Sequence, residues 1–163
     1  MGMLANYQSI SNDELEEVMC LDDVEELQEN VDVEICDIDK MWDALHFLLT
    51  GKSASEPIKG NLVSEAIVGQ ISISKEDSDE FISGIKKERV KDIARVLQEI
   101  DFEKYMDQFD MSHFAKHNIY PNIWNYHDEI DEIKDDLRTS FESLKAFYIK
   151  MSQRGCAALI SIY

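Results

Sequence analysis

Apolar positions change their period along this chain, and each change marks an element. Ile130, Ile133, Leu137, Phe141, Leu144, Phe147, Tyr148 and Met151 recur every three or four residues, which predicts one long helix of about six turns. Gly155 is placed to end it. Val90, Ile93, Val96, Leu97 and Ile100 predict a second helix over 87–100, and Met41, Trp42, Leu45, Leu48 and Leu49 a third that closes at Gly51. Asp37 or Asp39 is the expected N-cap of that third helix. Ser11 followed by Glu14 has the spacing of a capping box and opens a helix carrying Leu15, Val18 and Met19. A further acidic helix is expected over 21–29, and short helices over 62–68, 102–109 and 112–117.

Three runs carry strand character. Met3 to Ile10 reads as a first strand, Phe81 to Ile85 as a buried one with Gly84 inside it, and Cys156 to Tyr163 as an apolar final strand. Val31 to Ile35 alternates with period two, which fits a short strand or an extended approach to the next helix. An apolar strand at a chain end needs a place inside a sheet. The expected architecture is therefore α+β: a single domain over 1–163, with a small mixed or antiparallel sheet that includes both terminal strands, covered by five or more helices. Residues 52–60 read as a loop, and Pro121 holds Tyr120 in an extended or turn conformation.

Charge narrows the choice of partner. The 163 residues hold 34 Asp and Glu against 16 Lys and Arg, a formal net charge of −18. Residues 1–39 hold 13 of those acids and no Lys or Arg. A surface of that sign repels phosphates, which excludes nucleic acid and anionic membrane as direct partners. It attracts basic proteins, and Glu14, Glu17, Asp22, Asp23 and Glu26 are the candidate partner-binding residues. Cys20, Cys36 and Cys156 are odd in number with no C-x-x-C spacing, the pattern of reduced thiols. The start of the chain lacks a basic stretch followed by an apolar core, and no apolar run is long enough to span a bilayer. A cytoplasmic location is the expectation.

Familiar catalytic patterns are missing. Gly51-Lys52-Ser53 resembles the end of a phosphate-binding loop, but His46 stands where the first glycine is needed and a helix precedes it in place of a strand. Dinucleotide, nucleophile-elbow and zinc-protease signatures are absent, so no cofactor is expected. His113 and His117 have the spacing of one helical face, and His127 lies near Asp128 and Glu129. These read as surface histidines, and no metal is assigned to them. Cys36 and Cys156 sit in apolar surroundings, where thiols are inert packing residues.

One group remains as a candidate ligand site. Trp42 and His46 share a helical face, Asp43 lies between them in sequence, and Tyr120 is held by Pro121. They can wall a pocket with His46 as an acid, base or hydrogen-bonding group. The favoured reading, however, makes His46 a core residue that donates a ring proton to a backbone carbonyl, with Trp42 as a packing anchor.

The run Asp37-Ile38-Asp39-Lys40-Met41-Trp42-Asp43-Ala44-Leu45-His46-Phe47-Leu48-Leu49-Thr50-Gly51, with Met1-Gly2-Met3 before it and Ile119-Tyr120-Pro121 after it, resembles the YfbM-like family of bacterial proteins. Asn61 to Gly69 and the passage from Met151 through Gly155 into the last strand resemble that family too. The resemblance covers most of the chain and implies a compact α+β cytoplasmic protein without an established activity. It carries over no catalytic residue, but Trp42, Asp43, His46 and Tyr120 fall inside the matching segments. Two functions from different classes follow as expectations. One is a non-enzymatic acidic interaction protein, of an immunity or antitoxin kind, that docks a basic protein. The other is a small-molecule binder or enzyme around Trp42, His46 and Tyr120.

Overall fold

Residues 2–20, 34–74 and 79–163 are described by the computed structural model. The helix expected over 21–29 and most of the 31–35 strand lie outside them. Among the described residues five strands form one antiparallel sheet: β1 (Ala5–Ile10), β2 (Ile35–Asp39), β3 (Ile71–Ser72), β4 (Phe81–Ile85) and β5 (Ala157–Ile162), in the order β2-β1-β5-β4-β3. The C-terminal strand is central. Every residue of β5 is buried, because Ala158, Ile160 and Ile162 face the main core while Ala157 and Leu159 face a smaller cluster on the other side.

Seven helices accompany the sheet among the described residues: α1 (Asn12–Cys20), α2 (Trp42–Thr50), α3 (Leu62–Val68), α4 (Lys87–Glu99), α5 (Phe102–Asp107), α6 (Met111–Lys116) and α7 (Ile130–Arg154). The apolar row of α7 from Ile133 to Met151 is buried, and the helix lies against α4, β2 and α2. Gly155 ends it in the left-handed conformation at φ 66°. Glycine is needed there because a Cβ is disfavoured at positive φ.

α1 covers the opposite face of the sheet, and Ser11 caps it by accepting the Glu14 N–H at 3.1 Å. Its Leu15 is fully buried with Ile10, Ile82 and Leu159. Gly84 makes this seat possible, since a Cβ there would lie 2.5 Å from Leu15 Cδ1.

Two expectations need correction. Asp37 and Asp39 do not cap α2, which starts after Met41 without a side-chain cap. They belong to β2, whose residues alternate exposed and buried from Ile35 to Asp39. An acid every second residue marks the solvent side of a half-buried strand as readily as it marks a helix start. The sheet also has more strands than the three expected, because β3 is two residues long and carries no readable period.

Candidate functional site

α2 presents Trp42 and Asp43 toward Tyr120 and, one turn on, His46 toward the 52–60 loop. His46 is 0% exposed. Its Nδ1 lies 2.6 Å from the Lys52 carbonyl, so that nitrogen carries the proton and donates. Nε2 then accepts from the Ser64 hydroxyl at 2.8 Å, and Ser64 Oγ in turn accepts the Ile58 N–H at 2.9 Å. This relay pins the 52–60 loop to both α2 and α3. Burial holds the imidazole below its ordinary pKa, against the Lys52 carbonyl and the Asp43 charge.

Asp43 is also buried. Oδ1 accepts the Ser53 hydroxyl at 2.8 Å and the Ala54 N–H at 2.7 Å. Oδ2 accepts the Tyr120 N–H at 2.9 Å. Donors that a phosphate loop would aim at its ligand are therefore spent on this carboxylate. Trp42 stacks on Tyr120 with ring centres 5.4 Å apart, and its Nε1 donates to the Met3 carbonyl at 3.0 Å. Met3 N–H donates to the Tyr120 hydroxyl at 2.7 Å. Gly2 fits beneath because it lacks a side chain: a Cβ there would lie 2.6 Å from the Tyr120 hydroxyl.

Thus Trp42, Asp43 and Tyr120 come together, while His46 faces the loop behind them. A cleft of about 630 Å³ borders this cluster, lined by Gly2, Asp37, Asp39, Tyr120, Asp136 and Ser140 among others. Tyr120 is the one candidate ligand residue on its wall. Asp136 is exposed on α7 and Ser140 is buried four residues on, one helical turn later; neither carries a spacing that marks it in the sequence.

Glu14 and Glu17 are exposed on α1, where four acids stand in nine residues without a base. Asp22, Asp23 and Glu26 lie outside the described residues. His113 and His117 pack their rings 4.5 Å apart and both against Phe47. Among the described residues no group of three or more His, Cys, Asp or Glu side chains is placed to hold a metal ion. Burial, and after it the neighbouring Asp37 charge, pushes the Cys36 thiol up to about 11 and leaves it a poor nucleophile. No helix among the described residues is long and apolar enough to cross a membrane.

A family model described as a domain of unknown function (DUF1877) matches residues 1–161. The chain belongs to the DUF1877 family. Within that family, it is 27% identical to Protein YfbM of Escherichia coli (strain K12), with 99% of each chain covered. The crystal structure of YfbM, a protein of unknown function from Escherichia coli, superposes with a TM-score of 0.80 at 24% identity, covering 98% of this chain and 99% of that one. This DUF1877 chain shares its α+β fold with that structure.

Proposed function

We propose that the protein is a non-enzymatic interaction module that docks a basic protein through its acidic surface, as immunity proteins and antitoxins do. The observation that carries the reading is the concentration of 13 acids and no Lys or Arg in residues 1–39. On α1 the acids stand exposed, and none forms a salt bridge with a described residue. Such a face steers a basic partner and makes its association fast and salt-sensitive. A non-enzymatic role is further supported by the engagement of His46 and Asp43. The acid and base atoms that a small-molecule site would require are bonded within the fold.

The test is partner capture from a native cell extract, with a salt gradient for elution. A variant with Glu14, Glu17, Asp22, Asp23 and Glu26 changed to their amides is run beside the wild type. The expected outcome is a basic protein held by the wild type, released at moderate salt and not held by the variant. Equal retention on both would refute the acidic face as the docking surface.

A further inference from the structure

Between β2 and α7 runs a groove made of two clefts joined through Asp37 and Ser143. The second cleft, about 410 Å³, is lined by Glu34, Ile35, Cys36, Phe147 and Lys150 among others. Asp136, Ser140, Ser143, Phe147 and Lys150 recur every three or four residues of α7. One face of the helix therefore walls the groove for about 21 Å, the length of about six extended residues.

The other wall is a sheet edge. β2 pairs with β1, and no described strand lies on its far side. Ser9 N–H bonds the Glu34 carbonyl at 2.9 Å, and the register continues with Gln8 opposite Ile35 and Asn6 opposite Asp37. Antiparallel alternation then turns the N–H and C=O of Ile35 and Asp37 away from β1, onto the open edge. Those groups are the template for one more strand.

Charge selects the occupant. Asp37, Asp39 and Asp136 line one end of the groove with Lys40, and none of the three makes a salt bridge with a described residue. Ser140 on the same wall is 8% exposed, and its hydroxyl bonds no described residue. At the other end Glu34 is already neutralised by Lys150 at 2.6 Å and Arg154 at 3.5 Å, beside Cys36 and Phe147. A second copy paired edge to edge would set Asp37 and Asp39 against their own kind, which opposes it.

We propose that a basic extended segment of a partner protein joins β2 as a sixth strand in this groove. Its Lys or Arg side chains meet Asp37, Asp39 and Asp136, and a small apolar side chain lies over Cys36 and Phe147. The inference rests on the reading of the protein as a module for a basic partner and gives that partner a mode of binding.

The experiment titrates the full chain with an end-blocked hexapeptide alternating lysine and valine, at low salt, and follows amide hydrogen exchange by NMR. A glutamate–valine peptide and spermine are the controls. Exchange at Ile35 and Asp37 should slow about tenfold with the lysine–valine peptide and with neither control, because only that peptide supplies both charge and strand backbone. Ser143→Trp and Ala146→Trp fill the groove from exposed helix positions and should each weaken binding about tenfold. The proposal fails if those amides exchange unchanged at saturation, if they are already protected in the free protein, or if both tryptophan variants bind like the wild type. In each case the basic-partner reading survives only if capture of a basic protein still depends on the α1 acids, so the two failures are separable.

Discussion

His46 uses both ring nitrogens inside the protein, and that makes it a pH sensor of stability. Its pKa is lowered by burial, so the folded state stays neutral at a pH where the unfolded chain takes up a proton near pH 6.5. The unfolded state then binds more protons, and stability falls as pH drops. The contribution is complete above the unfolded value and disappears as pH descends through it toward the lower folded one. Thermal midpoints measured from about pH 7.5 to 5 should decline more steeply in the wild type than in His46→Gln, whose amide does not titrate. Parallel curves would mean that protonation of His46 is not felt by the fold. The position of His46 on a strongly apolar helix was readable in the sequence, but its partners were not: Lys52 contributes a backbone carbonyl, a group that every residue carries, and Ser64 a hydroxyl from 18 residues away. Tyr120 was readable for the same kind of reason, through Pro121, while its tie to Asp43 spans 77 residues and leaves no local trace.

At the level of elements, long periodic segments declared themselves. The row in α7 runs from Ile130 to Met151 of a 25-residue helix, and the apolar β5 had to be inside a sheet, although its central place depended on β1 and β4 arriving from distant sequence. β2 was hidden because Asp37 and Asp39 satisfy two local rules at once, and only the pairing with β1 decides between them. Gly84 shows a seat that a single sequence cannot disclose, because Leu15 approaches from 69 residues away. Here a double-mutant cycle is informative. Gly84→Ala overpacks the contact, and Leu15→Ala, which costs about 2–5 kcal/mol by itself, makes room for the new methyl. The double variant should be more stable than the sum of the singles by about 0.5 kcal/mol or more, read from urea unfolding. Simple additivity would show that α1 shifts aside rather than resting on Gly84.

For the molecule as a whole the governing quantity is the excess of 18 negative charges. Local pairs exist, among them Arg138 with Glu103 and Asp135, and Arg89 with Glu65, and salt would weaken the exposed ones. Each exposed pair contributes only about 0–1 kcal/mol, however. Self-repulsion acts among all unpaired acids together: a 163-residue chain has a radius of gyration of about 15 Å, and the screening length at 0.01 M salt is about 30 Å. At about 0.15 M it shrinks to about 8 Å, and most of those repulsions vanish. The thermal midpoint should therefore rise by several degrees between these two salt concentrations, and the rise should shrink in the variant with Glu14, Glu17, Asp22, Asp23 and Glu26 amidated. A midpoint that falls with salt would show that paired charges outweigh the repulsion. A basic partner of the kind proposed would relieve the same repulsion that salt does, so the proposal predicts that the variant that flattens the salt curve is also the one that fails to retain a basic protein.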